Sequence, residues 1–160
     1  MFVAADGLNY DEANSFASVE FADLFFSLRG NEFWAEATTN QKEVALVKAT
    51  DYIEQVYGQN WIGSNYRMTG LSWPRCYSVY AEDVLPENLK KATCELALTA
   101  LTTELNPTIT RERAVKREKV DVIEVEYSDT GTMPTIYPAV IGYLSSLLSG
   151  STFNRKVVRV

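Results

Sequence analysis

The 160-residue sequence contains no histidine, which limits the catalytic and metal-binding sites that it can form. Ser-His and Cys-His nucleophile pairs and histidine metal sites cannot form without that residue. The eight glycines form neither a Gly-x-x-x-x-Gly-Lys-Ser/Thr phosphate loop nor a Gly-x-Gly-x-x-Gly dinucleotide fingerprint. Adjacent carboxylates occur at Asp11-Glu12 and Glu82-Asp83, but such pairs are far more often solvated charge or helix N-termini than acid–base or cation sites. We therefore expect no catalytic, cofactor-binding or metal-binding residue and no enzyme activity.

Cysteine and long apolar runs are also scarce. Cys76 and Cys94 are the two cysteines, which fits two reduced, buried thiols better than a disulfide framework. The longest apolar runs fall far short of the roughly 20 residues that a membrane-spanning helix needs. The N-terminus lacks the basic start of a secretory signal. These absences predict a cytoplasmic product with no membrane association.

Positive charge is in deficit over most of the chain. Residues 1–110 hold 7 Lys and Arg against 15 Asp and Glu, a net charge of −8, whereas residues 111–160 hold 8 against 6, a net charge of +2. A protein that coats nucleic acid normally neutralises phosphates with a basic groove. The acidic majority therefore predicts either a surface that repels DNA or a charge that serves solubility alone.

Apolar residues at helical spacing predict a mainly α fold. Ser18 is the expected N-cap of a first helix that ends at Gly30. Its predicted core-facing stripe comprises Phe21, Leu24, Phe25 and Leu28. A short helical turn at Phe33 and Trp34 is expected to follow, within a core cluster of aromatic side chains.

Three further helices are predicted. The second begins at an Asn40–Glu43 capping box, although Thr38–Gln41 fits almost as well, and it ends at Gly58. The third starts at Pro86, stops at Asn106-Pro107 and is apolar around most of its circumference, which predicts a central position. The last runs from Pro138 to Gly150.

A small β segment is predicted at residues 115–127. An isolated two-stranded ribbon is marginally stable, so its partner is expected within the chain or in a neighbouring subunit. The predicted architecture is a compact bundle of about four helices with extended terminal arms. It forms a single domain over residues 1–150, with an embedded β region at 111–135, and residues 151–160 follow as a C-terminal tail.

The stretch Leu71-Ser72-Trp73-Pro74-Arg75 lies between two helical patterns. Pro74 restricts the backbone of Trp73 and is expected to hold that residue in an extended conformation. Trp73 is predicted to fill the gap between the flanking helices. Arg75 is then either solvated or turned towards a partner, since tryptophan and arginine are over-represented where interfaces carry their energy.

Basic residues cluster in two places. The first cluster comprises Arg111, Arg113, Lys116, Arg117 and Lys119. Because Glu112 and Glu118 interrupt it and it contains no aromatic residue, a salt-bridged surface or subunit contact is favoured over a phosphate-contacting loop. The second cluster, Arg155, Lys156 and Arg159, lies in the tail, which either becomes ordered on binding or is a frayed terminus.

The order of the segments resembles a known family. The segments are Ala45–Ile53, Leu71–Arg75, Leu85–Ala92, Glu95–Leu98, Val115–Tyr127 and Tyr137-Pro138, preceded by an aromatic helix. Together they resemble tailed-bacteriophage head-to-tail adaptors, also called connector or head-completion proteins. Members of that family often carry the label of DnaT-like single-stranded-DNA-binding proteins. The resemblance covers residues 15–148.

The resemblance implies a structural virion protein of the bacteriophage neck. Such a protein assembles as a homo-oligomeric ring, commonly a dodecamer, below the portal protein, where it extends the DNA channel for genome packaging and ejection. Its other partners would be tail, stopper or nozzle proteins, with double-stranded DNA passing through without specific binding. Trp73, Pro74 and Arg75 would form a contact motif, and the two basic clusters would lie on arms that grip neighbouring subunits and the portal.

The alternative is a single-stranded-DNA-binding accessory protein of replication. In that case Arg113, Lys116 and Arg117 would contact phosphates, and affinity for oligonucleotides would depend strongly on salt.

Overall fold

In a computed structural model of the chain, the described residues are 1–6, 8–9, 11–65, 70–78, 80–81, 83–105, 118–120, 123–125 and 137–149. The chain divides into a helical unit, Met1–Leu105 with Tyr137–Val160, and a second unit, Asn106–Ile136. The predicted β region lies within the second unit. The mainly α fold is confirmed.

The described part of the helical unit is built from five α-helices and a 3-10 turn. They are α1 (Val19–Ser27), α2 (Glu32–Glu36), α3 (Thr39–Tyr57), α4 (Glu87–Ala100), α5 (Pro138–Leu144) and the turn Ser145–Leu147. Helix α4 packs against α3, α5 and α1, so its predicted central position is confirmed. Leu89 and Leu96 of α4 are fully buried, as expected for a helix with helices on several sides.

Both ends of α1 follow the prediction. The Ser18 side chain accepts a hydrogen bond from the Phe21 N–H at 3.2 Å, which satisfies one of the orphan donors at the helix start. Gly30 lies just beyond the helix at φ +62°, a left-handed conformation that glycine adopts without steric cost.

The buried face of α1 differs from the predicted stripe. Leu24 and Leu28 are 60% and 77% exposed, so the prediction that they face the core is wrong. Phe25 is buried as predicted, and Ala22 and Phe26 are buried in place of the two leucines. The cause is α2, whose Trp34 packs against Phe26 with ring centroids 4.8 Å apart. This contact turns the buried side of α1 by one residue position relative to the ideal repeat.

Helix α3 begins two residues earlier than the favoured capping box implied. Thr38 Oγ1 accepts a hydrogen bond from the Gln41 N–H at 3.4 Å, and Gln41 Oε1 accepts one from the Thr38 N–H at 2.9 Å. Thr38 is extended, with φ −69° and ψ 154°, whereas Asn40 already lies inside the helix. The Asn40–Glu43 box is therefore wrong and its close competitor is correct.

Helix α4 is shorter than predicted. Pro86 is its N-cap residue and not its first helical residue, and the helix ends at Ala100 although the apolar pattern continues to Leu105. Thr102 and Thr103 donate backbone hydrogen bonds to the Thr99 carbonyl, which closes the last turn. Leu105 is nevertheless buried, so the apolar pattern indicated burial correctly and the helix end incorrectly.

The described residues among the first 17 are irregular, as predicted, and the end of this segment belongs to the core. Phe16 and Ala17 are fully buried. The Phe16 N–H donates to Thr50 Oγ1 at 3.1 Å, and this hydroxyl in turn donates to the Leu46 carbonyl at 3.0 Å. A buried hydroxyl on α3 thus satisfies the backbone of the N-terminal segment.

The second unit contains an antiparallel hairpin of β1 (Glu118–Val120) and β2 (Ile123–Val125). Glu118 lies opposite Val125, and Val120 lies opposite Ile123. The β segment is thus two short strands that pair within the chain.

Helix α5 begins with Pro138, as predicted, and Val140, Leu144 and Leu147 of its predicted stripe are buried. Gly150, the expected end, and the tail at 151–160 lie outside the described residues. The predicted domain boundaries remain a prediction.

The two capping assignments make opposite predictions for single substitutions. Thr38→Ala removes the side-chain acceptor for the Gln41 N–H and is expected to lower the free energy of unfolding by about 1 kcal/mol. Asn40→Ala, on the exposed surface of the first turn, should change it by less than about 0.5 kcal/mol. Urea unfolding followed by circular dichroism measures both values. A larger loss for Asn40→Ala than for Thr38→Ala would contradict the observed cap.

Candidate nucleic-acid interface

Trp73 lies inside the protein and not on a contact surface. Its side chain is 0% exposed, and its ring meets Trp61 and Tyr80 edge-to-face at centroid distances of 5.9 and 6.0 Å. The Trp73–Pro74 peptide bond is cis, and Pro74 is buried beside it. Neither side chain is placed to reach a partner without opening the core. Their contact role, implied by the resemblance, finds no support in this geometry.

The segment around Trp73, residues 71–78, is called here the Trp-Pro-Arg loop, and a carboxylate of α3 attaches it to the helices. Glu54 Oε1 accepts hydrogen bonds from the Ser72 N–H at 2.9 Å and from the Ser72 hydroxyl at 2.7 Å. Hydrogen bonds to an ionised acceptor are stronger than neutral ones. The Glu54 side chain therefore holds the loop on α3.

Arg75 fixes the same loop from the other side. Its Nε donates to the Ile62 carbonyl at 2.9 Å, and its Nη2 donates to the Gly63 carbonyl at 3.2 Å. A longer bond of 3.4 Å joins Nη1 to the Ser72 carbonyl. Desolvation lowers the pKa of Arg75, and the nearby Glu54 carboxylate offsets part of that shift.

Both sequence-based alternatives for Arg75 therefore missed its main contacts. The side chain is half-buried and hydrogen-bonded within the chain, so it is not simply solvated, and its contact with a partner stays a prediction. A guanidinium carries five N–H donors in a planar fork, which suits it to several backbone carbonyls at once. No pattern in the sequence marks carbonyls 12 or 13 residues upstream as its acceptors.

Most of the basic side chains that the structure describes in the helical unit already have a partner there. Among its six basic side chains that the structure describes, five have a partner within the unit, namely Arg29, Lys42, Arg75, Lys90 and Lys91. Lys42, for example, lies 2.9 Å from the Asp23 carboxylate, which also accepts the Trp34 indole N–H at 2.7 Å. Lys48 is the sixth and is exposed.

The predicted basic clusters fall largely outside the described residues. Arg111, Arg113, Lys116 and Arg117 lie there, as do Arg155, Lys156 and Arg159. Lys119 is in strand β1, where its backbone is paired with that of Glu124. The structure therefore brings together Trp73, Pro74 and Arg75, as their adjacency in sequence requires, and leaves the grouping of the other candidates a prediction.

Reactive groups are few among the described residues. Cys94 is fully buried, and desolvation raises the pKa of its thiol to about 12. A thiol with that pKa is almost entirely protonated at neutral pH and is a poor nucleophile. Within the described ranges, no three Asp, Glu or Cys side chains are grouped in a way that could hold a metal ion. The described helices include none with the length and apolarity to cross a membrane.

A family model aligns with residues 1–160 of the chain. The chain belongs to this family, described as "Putative DnaT-like ssDNA binding protein". No curated protein and no solved structure matches the chain.

The family match corrects the main functional prediction. A head-to-tail adaptor of the virion, with portal, tail and ring partners, is contradicted, because the family is described by single-stranded-DNA binding and not by head–tail joining. The match agrees with the alternative, a DNA-binding accessory protein. Two inferences led to the wrong choice. The segments that carried the resemblance are short and individually weak, and the acidic excess over residues 1–110 favoured a surface that repels DNA although basic residues cluster elsewhere in the chain.

The contacts of Arg75 predict that lysine cannot replace it. Lysine has the same charge but a single ammonium group, which cannot reach the Ile62, Gly63 and Ser72 carbonyls together. Arg75→Lys is expected to lower the free energy of unfolding by about 1–3 kcal/mol. The reverse exchange at an exposed site, Lys48→Arg, is the control and should change it by less than about 0.5 kcal/mol. Equal effects of the two exchanges in urea unfolding would show that the carbonyl contacts do not stabilise the fold.

Proposed function

We propose that the chain binds single-stranded DNA without catalysing a reaction on it. The observation that carries this proposal is the match of the whole chain, residues 1–160, to a family described by single-stranded-DNA binding. The contacts of the described residues and the distribution of charge support a specific version of it, in which the phosphates are bound by the basic segments 111–119 and 151–160.

The first support is that most of the described basic side chains of the helical unit already have partners within the protein. Phosphate binding needs basic side chains that can exchange their present partners for the ligand. Lys42 and Lys91 already lie within 2.9 and 2.8 Å of carboxylates, and Arg75 is bound to backbone carbonyls. Transfer of any of these to a phosphate would break a contact within the protein.

The second support is the concentration of positive charge in two short segments. Residues 111–119 carry five Lys and Arg against two Glu, a net charge of +3, and residues 151–160 carry three basic residues and no acidic one. At physiological ionic strength charges are screened over about 8 Å, so a phosphate close to these segments is influenced little by carboxylates farther away. An acidic protein can thus bind nucleic acid locally.

The residues in and near these segments are better suited to binding single-stranded DNA than to binding the groove of a duplex. Proteins that bind single strands combine positive charge along the backbone with aromatic side chains on which bases stack. Tyr127 follows the first basic segment by eight positions, and Phe153 precedes Arg155 in the tail. Each basic segment is therefore close in sequence to one aromatic residue.

A non-enzymatic role is part of the proposal. It is supported by the absence of histidine from the sequence and by the buried, protonated state of the Cys94 thiol. Binding alone requires none of the nucleophiles or metal ligands that hydrolysis or transfer would need.

The decisive variant removes three cations from the first segment. Arg113→Ala, Lys116→Ala and Arg117→Ala together should weaken binding to a fluorescently labelled oligo(dT), measured by fluorescence anisotropy. They should also reduce the slope of log K against log salt by about 2, because each phosphate contact on a single strand contributes about 0.7.

A matched control removes three basic side chains from the helices of the helical unit. Lys48→Ala, Lys90→Ala and Lys91→Ala change the net charge equally but should leave both the affinity and the salt slope near those of the wild type. Wild-type protein that fails to bind oligo(dT) at low salt would refute the proposed function. Equal loss in the two triple variants would refute the assignment to residues 113–117 and indicate a general charge effect.

A further inference from the structure

Tyr77 combines two unfavourable features at the surface of the helical unit. Its side chain is 91% exposed, the largest value among the described aromatic residues, and its backbone lies in the left-handed region at φ +53°. A non-glycine residue there carries steric strain, and a bulky side chain gains nothing to offset it unless it packs or binds. At this exposure Tyr77 does not pack within the described protein.

The neighbours of Tyr77 hold its backbone in place. The Cys76 carbonyl accepts from the Ser64 N–H at 2.8 Å, and the Cys76 N–H donates to the Ser64 carbonyl at 3.1 Å. On the other side, the Ser78 hydroxyl contacts the carbonyls of Arg75 and Tyr80 at 3.2 and 3.1 Å. The residues before and after Tyr77 are thus both tied down.

Residues 62–64, which are hydrogen-bonded to Arg75 and Cys76, restrict the backbone beside Tyr77 further. Gly63 is at φ +72°, and a Cβ at that position would clash with the Cys76 carbonyl oxygen. Arg75 draws the same segment in through the carbonyls of Ile62 and Gly63. Two close backbone segments and one guanidinium therefore hold the backbone of Tyr77 in a defined conformation and leave its ring exposed to solvent.

An exposed aromatic ring on an ordered backbone is suited to stacking on a nucleic-acid base. A base gains more free energy from stacking on a ring whose backbone is already ordered, because less conformational entropy is lost on binding. Tyrosine has only two side-chain torsions, so the remaining cost is small. Stacking on a single side chain tolerates every base, since each base has a π face.

We propose that Tyr77 is a base-stacking residue for single-stranded nucleic acid. This inference rests on the proposed function and adds to it a contact on the helical unit. Phosphates would be bound by the basic segments, and one base would stack on Tyr77. Arg75 and Gly63 are positioning residues in this scheme, because they act on the base only through the loop that carries the tyrosine.

The experiment compares variants at position 77 in oligo(dT) binding and in thermal unfolding. Tyr77→Asn and Tyr77→Gly remove the ring but tolerate the left-handed backbone, so they should unfold at the wild-type temperature or above it. They should weaken binding about tenfold. Tyr77→Phe and Tyr77→Trp keep a ring and should retain affinity within about threefold.

The control is a second exposed ring elsewhere on the surface. Phe33 on α2 is 51% exposed, and Phe33→Asn should leave the affinity unchanged. A direct readout comes from Tyr77→Trp, because stacking quenches indole fluorescence. Saturating oligo(dT) should quench its emission by more than that of the wild type, whose Trp34, Trp61 and Trp73 are buried.

The outcomes separate the two proposals. Wild-type protein that does not bind oligo(dT) refutes both. If the wild type binds and the basic triple variant is impaired while Tyr77→Asn binds as tightly as the wild type, the stacking assignment fails and the proposed function stands. A lower unfolding temperature of Tyr77→Gly, with unchanged affinity, would assign Tyr77 a structural role and overturn the inference.

Discussion

The two-sided attachment of the Trp-Pro-Arg loop is the interaction on which the surface of the helical unit depends. Glu54 holds Ser72 from α3, and Arg75 holds the carbonyls of Ile62 and Gly63. Both contacts use an ionised group on one side, which makes each stronger than a neutral hydrogen bond. Between them they hold the residues on both sides of the buried Trp73 and the two residues that follow the buried Trp61.

The attachment also relates stability to function. A loop held by its backbone carbonyls is insensitive to the side chains that point outward, so its exposed positions are open to binding residues. Tyr77 occupies such a position at the cost of a left-handed backbone. Rigid scaffolds commonly carry binding residues on loops in this way. In this protein the rigid part is the junction of residues 62–64 with residues 75–78.

Charge distribution is the second constraint, and it explains how an acidic protein belongs to a family described by DNA binding. The net charge of −6 is an average over a strongly acidic first part and a mildly basic second part. Electrostatic attraction to a flexible single strand is local, because screening limits it to roughly 8 Å. An acidic excess over most of the chain is therefore compatible with local binding of nucleic acid by the two basic segments.

Helix prediction succeeded where local chemistry decides the outcome. Ser18 and Gly30 lie at the two ends of α1 as expected, since a side-chain cap and a left-handed glycine act within one turn. It failed where another element competes for a face. Leu24 and Leu28 match the helical repeat but are exposed, because Trp34 of α2 packs on Phe26 and selects a different side of α1. The two capping boxes at the start of α3 were separated only by backbone conformation, which neither motif encodes alone.

The sequence by itself determined the mainly α class, the positions of the main helices, the burial of Trp73 and the two basic segments, because periodicity, capping and charge are properties of neighbouring residues. Tertiary structure alone decided what Arg75 and Glu54 bind and how Tyr77 is presented. These contacts join residues 12 to 18 positions apart across an irregular loop. No repeat or short-range preference specifies such pairs, so they become visible only when the packed helices bring the two segments together.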